Sequence, residues 1–224
     1  MDRNVTSTST GVVPTLPLVR HLSAWLTPGL ARTPLTPNQI TTLSALAGLG
    51  AAWFLMNMDH VAAAALLILC YALDNCDGEI ARLKGLSSEF GMHYDTAMDW
   101  LVHSAFFVCL GIGVTAQTGE ALWSWAGYIA AAGGTINYVL GYVFAAADKA
   151  ADDAADGSAD ENNPQGWMEW GIFVFRELTR ADFCFLVLLL ALVDGLWLLL
   201  PAGAIGAQVY WLLLMVRSAR RFHV

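Results

Sequence analysis

Long hydrophobic runs separated by short polar stretches make up most of the chain from residue 40 onward. Most of these runs have the length and apolar content expected of a helix that crosses a lipid bilayer, which needs about 20 residues. The predicted spans lie at 40–57, 61–82, 96–115, 121–146, 181–200 and 204–217. The first and last of them are short for a span. The pattern therefore predicts an all-α integral membrane protein with six transmembrane helices.

A short amphipathic helix is predicted before the first span, following a polar tail at residues 1–16. Its apolar positions fall on one helical face, which favours a helix lying on the membrane surface. That face consists of Leu18, Leu22, Trp25 and Leu26. The run is short and reaches Pro28-Gly29, where we expect it to end, so an irregular linker is the alternative. We divide the chain into a cytoplasmic tail with this juxtamembrane helix, 1–35, and a six-helix membrane domain, 36–224.

Composition agrees with a membrane location. The chain is 57% hydrophobic and only 13% charged, and its mean hydropathy is +0.53. The net charge is −8. Much of the acidic excess falls at 148–163, which we interpret as a solvated loop. We expect the lipid bilayer as a partner and no nucleic acid.

The distribution of basic residues predicts the orientation of the spans. With six spans and an internal N-terminus, all 11 Lys and Arg fall on the cytoplasmic side. The predicted outer loops near Asn57–His60, Gln117–Glu120 and Pro201–Gly206 contain none, as the positive-inside rule requires. Both termini and the polar segment Asp74–Asp99 are therefore expected in the cytoplasm, with the protein in the cell inner or plasma membrane. Asp194 falls near the outer end of the fifth span, away from that segment.

Four aspartates stand out between the second and third spans. Asp74 and Asp77 are three residues apart, and Asp95 and Asp99 are four apart, so each pair shares one helical face. A helical hairpin would bring the two pairs together. Carboxylates in or near hydrocarbon need neutralisation. Because carboxylate oxygens suit Mg²⁺ or Mn²⁺, the pattern predicts a pair of ions about 3.5–4 Å apart, as in two-metal phosphoryl-transfer sites.

Other residues in the same segment suit a phosphate-containing ligand. Arg82 offers a planar, permanently charged fork for phosphate. Gly78 and Ala81 are small, so a ligand can approach the backbone closely. Gly85 and Gly91 are expected to relieve the turn between the two helices. Together these residues indicate a site for a metal-complexed diphosphate.

This segment resembles the signature of the CDP-alcohol phosphotransferase family, also called the CDP-alcohol phosphatidyltransferases. The match fills every fixed position of the pattern Asp74-x2-Asp77-Gly78-x2-Ala81-Arg82-x8-Gly91-x3-Asp95-x3-Asp99. A second, weaker similarity covers Thr36-Pro37-Asn38-Gln39-Ile40-Thr41, which resembles the start of that family's first helix. The stretch 36–99, which contains both segments, covers about a third of the chain, and the remainder matches only in topology.

The resemblance implies an enzyme of phospholipid biosynthesis that displaces CMP from a CDP-linked donor with an alcohol. In this family the donor is usually CDP-diacylglycerol, while some members use a soluble CDP-alcohol and a lipid acceptor. It implies that Asp74, Asp77, Asp95 and Asp99 hold two divalent ions, Mg²⁺ or Mn²⁺, and that Asp99 also accepts the proton of the acceptor hydroxyl. The implied CDP contacts are Asn38, Thr41, Gly78, Ala81, Arg82, Ser88 and Gly91. A homodimer is also implied.

The acceptor alcohol is less well defined by the sequence. Arg176 and Arg180 are four residues apart just before the fifth span, and Lys149 could join them. One interpretation is a site for a phosphorylated polyol such as inositol phosphate or glycerol phosphate. The other is ordinary positive-inside anchoring of the helix. Free inositol, serine, choline and ethanolamine also stay open as acceptors.

Three alternatives to a working enzyme are considered. A purely structural aspartate cluster would need more basic partners than Arg82 and Lys84. A divalent-cation transporter would place acids near the bilayer midplane on broken or repeated helices, and no second acidic motif is present. An inactive family member would be expected to lack part of the signature. His103, one turn beyond Asp99, is interpreted as a core histidine, with a hydrogen bond to Asp99 as the alternative.

Overall fold

The computed structural model describes the backbone over residues 18–152 and 183–221, and the side chains over 18–144 and 183–216. Regular structure in these ranges is entirely helical. The helices are α1 (Leu18–Ala31), α2 (Pro37–Met56), α3 (His60–Lys84), α4 (Glu89–Thr118), α5 (Leu122–Asp152), α6 (Phe183–Leu192), a short 3₁₀ helix (Leu196–Leu198) and α7 (Leu199–Arg221). The predicted all-α class is therefore confirmed for the described residues.

Four described segments are long and apolar enough to cross a membrane. They are α2, α3, α4 and the stretch Leu196–Val216. The predicted spans at 121–146 and 181–200 correspond to α5 and α6. The 10 described residues of α6, which begin at the edge of the described range, are by themselves too few to cross a membrane. The class of membrane protein is thus supported, while the number of six spans stays a prediction.

The last predicted turn is misplaced. Pro201–Gly206, which we expected to be an outer loop, lies inside α7. Pro201 falls in the first turn of that helix, where its missing N–H would have no intrahelical partner, so proline is tolerated there. The chain turns instead at Val193–Gly195, between α6 and the 3₁₀ helix. Asp194 has a φ of +52° at this turn.

Helix α1 confirms a helix at the predicted amphipathic segment and excludes an irregular linker, while its position on the membrane surface stays a prediction. It runs for 14 residues through Pro28, so the expected end at Pro28-Gly29 is wrong. The missing N–H of Pro28 leaves the carbonyl of Ala24 without its helical partner, and because Ala24 is exposed, water can take that partner's place. The buried side chains of α1 are Val19, Ser23 and Thr27. The predicted apolar residue Trp25 is 81% exposed, on a side of the helix that does not pack on α3.

Helix α2 packs against both α3 and α4 and so sets the positions of these two helices. A small residue allows a close approach. A Cβ added to Gly48 would lie only 2.5 Å from Cγ1 of Val102 on α4. The apolar core includes the fully buried side chains of Leu55, Leu67, Phe106, Leu110 and Val187. This core fixes the ends of α3 and α4 that carry the aspartates.

The predicted hairpin between α3 and α4 is confirmed. Helix α3 ends at Gly85, whose φ of +64° lies in the left-handed region that glycine adopts without strain. Ser88 then caps α4 by accepting a hydrogen bond from the Gly91 N–H at 3.0 Å. Gly91 lies within the first turn of α4 rather than in the connection. We had expected Gly91 to relieve the turn, and that expectation is wrong because the residue lies inside the helix.

Candidate metal and nucleotide site

Three carboxylates from two helices meet at one end of the bundle, the end that we expect to face the cytoplasm. Asp74 and Asp77 lie one turn apart on α3, and Asp95 comes from the first turns of α4. Each offers an oxygen, and these oxygens all lie within 4.8 Å of one another. Asp77 is only 6% exposed. Like charges this close repel strongly unless a proton or a cation neutralises them.

The donor set fits a divalent cation. Oδ1 of Asp95 is buried and has no hydrogen-bond partner in the described part of the chain. No Lys or Arg within the described side chains forms an ion pair with Asp74, Asp77 or Asp95. Unpaired buried acceptors are costly, and hard cations prefer carboxylate oxygens. A bound divalent ion would satisfy both the charge and the unpartnered oxygen.

Asp99 lies one turn beyond Asp95 and is exposed. It does not belong to the group of three close carboxylates. Its main-chain carbonyl lies 2.8 Å from Nδ1 of His103. Both of our interpretations of His103 therefore hold in part: its ring is packed against Phe183, and it also bonds to the Asp99 backbone. The roles of Asp99 as fourth ligand and as base stay predictions.

Tyr71 was missed by the sequence reasoning. Its hydroxyl lies 3.0 Å from Nε2 of His103 and so links α3 to α4 one turn away from the carboxylates. The signal was present, because Tyr71, Asp74 and Asp77 follow one another at intervals of three residues on α3. This link helps to hold the spacing of the two helices that carry the aspartates.

Thr41 lies against the carboxylate cluster. Its hydroxyl donates a hydrogen bond to Oδ2 of Asp77 at 2.5 Å, and the Thr41 side chain is buried. The start of α2 is fixed by a capping box between Thr36 and Gln39, with Pro37 in the first turn. Thr41 is therefore held one turn inside a well-defined helix start. It orients a carboxylate, a contact that the sequence did not reveal.

A cavity of about 260 Å³ opens beside Asp77 and Asp95. The structure brings all seven residues predicted to contact CDP to its wall, namely Asn38, Thr41, Gly78, Ala81, Arg82, Ser88 and Gly91. The sequence reasoning did not assign Leu86 and Met92, which also line it. What these residues bind stays a prediction, but they form one wall next to the carboxylates.

Two glycines keep the cavity open. A Cβ on Gly78 would have Nη1 of Arg82 as its nearest neighbour at 3.6 Å, so this part of the wall is free for a ligand. A Cβ on Gly91 would lie 3.1 Å from Ser88 Oγ and 3.2 Å from Asn38 Oδ1. A methyl group at position 91 would therefore crowd the two side chains where α4 passes close to the start of α2.

Two polar side chains of α3 bind the neighbouring α1 and its connection to α2. Glu79 accepts hydrogen bonds from Ser23 at 3.1 Å and from Thr27 at 2.5 Å. Lys84 donates to the carbonyls of Thr33 and Leu35 at 2.9 and 3.0 Å. Lys84 thus fastens the α1–α2 connection, and these contacts attach α1 to the helix that carries Asp74 and Asp77.

The three residues predicted to hold an acceptor phosphate cannot be placed at the cavity. Arg176 and Arg180 lie outside the described residues. Lys149 belongs to α5, and its side chain lies outside the described part.

Apolar membrane-capable helices with a carboxylate cluster beside a cavity define an integral membrane protein with a candidate metal-dependent site. The family model of the CDP-alcohol phosphatidyltransferases matches residues 34–219. The chain therefore belongs to the CDP-alcohol phosphatidyltransferase family.

Relatives of known function are similar over part of the chain. The chain is 36% identical over 105 residues, 46% of its length, to the bifunctional IPC transferase and DIPP synthase of Rubrobacter xylanophilus. It is 38% identical over 73 residues, 32% of its length, to the phosphatidylinositol phosphate synthase of Corynebacterium glutamicum. The aligned segments span only 23% and 33% of these relatives' own lengths.

Solved structures share the fold. The phosphatidylinositol phosphate synthase (PgsA1) of Mycobacterium tuberculosis with CDP-DAG bound aligns with a TM-score of 0.53 at 23% identity, covering 85% of this chain and 91% of that one. The same enzyme in complex with manganese and citrate aligns with a TM-score of 0.53 at 24% identity, covering 84% and 86%. At these identities the likeness supports the fold.

Proposed function

We propose that this protein transfers a lipid phosphate group from CDP-diacylglycerol to an alcohol and releases CMP, using divalent cations. The observation that carries the proposal is the group of three close carboxylates beside a cavity whose wall contains every residue of the predicted CDP set. Relatives named as phosphatidylinositol phosphate synthases, one of them solved with CDP-DAG bound, support this donor.

In the proposed reaction, the acceptor hydroxyl oxygen forms a bond to the phosphorus that carries the diacylglycerol. The bond from that phosphorus to the oxygen of the CMP phosphate breaks, and CMP leaves with the bond's electrons. The hydroxyl proton passes to the carboxylate of Asp99, the exposed acid next to the cluster. A positioned carboxylate is a weak base, so orientation supplies much of the rate.

The other residues bind and orient the donor. Asp74, Asp77 and Asp95 would hold the divalent cation, with Asp99 as a fourth ligand if two ions bind. When bound, Mg²⁺ or Mn²⁺ neutralises the diphosphate and stabilises charge on the leaving CMP. Arg82 presents its guanidinium from the cavity wall toward phosphate oxygens.

Small wall residues complete the donor site. Gly78 and Ala81 leave space for the nucleotide to approach α3. Asn38, Ser88 and Gly91 lie together where the start of α4 meets the start of α2. Thr41 acts in this scheme chiefly by orienting Asp77.

The first experiment measures CMP release. Purified protein in lipid receives CDP-diacylglycerol and Mg²⁺, with inositol phosphate, glycerol phosphate, inositol, serine, choline or ethanolamine added one at a time. We expect release with one of the phosphorylated polyols. Asp77→Asn and Asp99→Asn should abolish it, while Glu120→Gln, an exposed carboxylate away from the cavity, should not.

Several outcomes would contradict the proposal. Release that persists in Asp77→Asn would exclude the carboxylate cluster as the site of reaction. Absence of release with every acceptor, although CDP-diacylglycerol binds, would favour an inactive family member. Metal uptake by vesicles without any CDP turnover would favour the divalent-cation transporter.

The acceptor phosphate is proposed to bind Arg176 and Arg180, with Lys149 as a third contact. The double Arg176→Ala, Arg180→Ala variant should raise the acceptor KM and leave the donor KM unchanged. Lys149→Ala should add a smaller increase. An unchanged acceptor KM in an active double variant would rule out this phosphate site and leave the arginines as membrane anchors.

Orientation and assembly are also proposals. The absence of Lys and Arg from 57–60, 117–120 and 193–198 supports a cytoplasmic active site and cytoplasmic termini. Cysteine-accessibility labelling from either side of sealed vesicles tests it. A homodimer, implied by the family resemblance, is tested by light scattering of the detergent-solubilised protein.

A further inference from the structure

A second cavity, of about 360 Å³, lies at the end of the bundle opposite the carboxylate cluster. Three connections meet there: the α2–α3 turn, the α4–α5 connection and the turn between α6 and the 3₁₀ helix. The cavity is lined by Met58, His60, Val114, Gln117, Thr118, Trp123, Asp194 and Trp197. None of these residues belongs to the proposed reaction site.

The charge at this end of the bundle is negative. Asp59, Glu120 and Asp194 all lie in or beside its three connections. The segments 57–60, 117–120 and 193–198 contain no Lys or Arg. Charges of one sign around a cavity with low-dielectric walls raise the local concentration of ions of the opposite sign. The cavity is therefore suited to a cationic group.

His60 holds the Asp194 carboxylate at the wall of the cavity. Its Nδ1 lies 3.4 Å from Oδ1 of Asp194, and its side chain is 13% exposed. Its Nε2 is buried and has no hydrogen-bond partner among the described residues. Because the two ring nitrogens of an imidazole point in nearly opposite directions, the buried Nε2 faces away from Asp194, and His60 holds the carboxylate through Nδ1 alone.

The backbone holds Asp194 in an uncommon conformation. Its φ of +52° places a non-glycine residue in the left-handed region, and Met58 on the other side of the cavity has a φ of +61°. Such conformations concentrate at ligand sites, because the surrounding structure must maintain them. The Asp194 side chain is 93% exposed, so its carboxylate is free to meet a group arriving from the membrane surface.

Two tryptophans add an aromatic wall. The rings of Trp123 and Trp197 meet edge to face, with centroids 5.6 Å apart. Aromatic faces attract cations, and ammonium ligands are commonly bound between such rings. Tryptophan is also typical of the membrane–water interface, which is where lipid headgroups lie. The wall therefore favours an organic cation with some hydrocarbon.

A metal ion fits this cavity less well than an ammonium group. His60 and Asp194 provide two ligand groups, and the described residues contain only one group of three metal-capable side chains, the Asp74 cluster. We propose that this cavity binds a primary ammonium group, through the Asp194 carboxylate and the two indole rings. The group could come from a phosphatidylethanolamine headgroup or from a soluble amine, and the experiment separates the two.

The test uses the full chain in nanodiscs with ¹⁵N-labelled tryptophan, read by indole N–H resonances. Trp123→Phe and Trp197→Phe assign the two signals. We expect both to shift, with saturation, as phosphatidylethanolamine replaces phosphatidylglycerol. Phosphatidylcholine, whose quaternary ammonium has no N–H donor, should shift them less. In discs of phosphatidylglycerol alone, a saturable shift with free ethanolamine would assign the ammonium to a soluble amine instead.

Two variants and one control test the assigned contacts. Asp194→Asn removes the charge while keeping a residue that tolerates positive φ, so the turn should persist. It should raise the half-saturating lipid fraction about tenfold, as expected for loss of a charge-assisted hydrogen bond. His60→Phe should also weaken the response. Glu120→Gln removes a charge at the same end without touching the cavity lining and should raise the half-saturating lipid fraction far less than Asp194→Asn does.

Three results would overturn the proposal. The first is equal shifts with phosphatidylethanolamine and phosphatidylcholine. The second is an unchanged response in Asp194→Asn. The third is the absence of any saturable shift with either phosphatidylethanolamine or ethanolamine. Because the readout is independent of CMP release, none of these results bears on the proposed reaction.

Discussion

The hydrogen bond from Thr41 to Asp77 gives the sharpest test of the carboxylate site. Thr41→Val keeps the shape of the side chain and removes the hydroxyl that donates at 2.5 Å to Oδ2 of Asp77. Both residues are buried, with 3% and 6% exposure, so water does not readily replace the lost donor. The carboxylate would keep its place on α3 but lose the group that fixes its orientation.

The expected effect follows from the charge of the acceptor. A hydrogen bond to a charged group contributes about 1.5–3 kcal/mol, and 1.4 kcal/mol corresponds to about a tenfold change in an equilibrium constant. Partners that orient metal ligands typically change metal affinity by about 10–100-fold when they are removed. The two estimates agree, so Thr41→Val should weaken metal binding by about one to two orders of magnitude.

The assay titrates Mn²⁺ into the protein and follows the free ion by electron paramagnetic resonance, with CMP release measured over the same concentrations. Thr41→Ser retains the hydroxyl and should restore most of the affinity. Thr42→Val is the matched control on the same helix, because the Thr42 hydroxyl bonds to Tyr94 and to the Asn38 carbonyl instead. Wild-type Mn²⁺ affinity in Thr41→Val would refute the argument that this hydroxyl orients a metal ligand.

Three further predictions concern packing and the donor. Gly111→Ala should lower the melting temperature, because its Cβ would lie 2.7 Å from the Trp123 carbonyl oxygen. Gly134→Ala is the control and should not lower it, because a Cβ there has nothing within 4 Å. Equal melting temperatures for the two variants would contradict the packing argument. Tyr71→Phe removes the hydroxyl bonded to His103 and should lower the free energy of unfolding by about 1 kcal/mol, measured by denaturation in detergent. An unchanged free energy of unfolding would show that this link does not stabilise the protein. Arg82→Lys should raise the donor KM with little change in acceptor KM, since an ammonium lacks the planar fork, and an unchanged donor KM would remove Arg82 from the phosphate site.

The candidate site could be predicted to a large extent because its information is local. Helical spacing alone places Asp74 with Asp77, and the family signature marks Gly78, Ala81 and Arg82 on the same helix. A polar stretch with Gly85 predicts the reversal between α3 and α4, which the structure contains. Local periodicity and turn chemistry are set by the backbone itself, so a sequence is sufficient to show them.

Helix ends near proline were predicted less well. Pro28 lies within α1 and Pro201 within the first turn of α7, although both suggested interruptions. A proline lacks the backbone N–H. In the first turn of a helix, as at Pro201, that N–H would have no intrahelical partner, and in the last turn, as at Pro28, its absence removes one hydrogen bond. Whether a helix passes through such a residue depends on what packs around it, which a sequence does not show.

The sequence by itself determined the membrane class, the helical hairpin and, through the family resemblance, seven of the residues that line the candidate nucleotide cavity. Tertiary structure alone decided that Thr41 bonds to Asp77, that Glu79 and Lys84 fasten α1 and its connection to α3, and that His60 meets Asp194. Each of these pairs joins different helices or connections. Their contacts depend on how α2 spaces α3 from α4 and on where the last turn falls, and these distances follow from packing rather than from the order of residues along the chain.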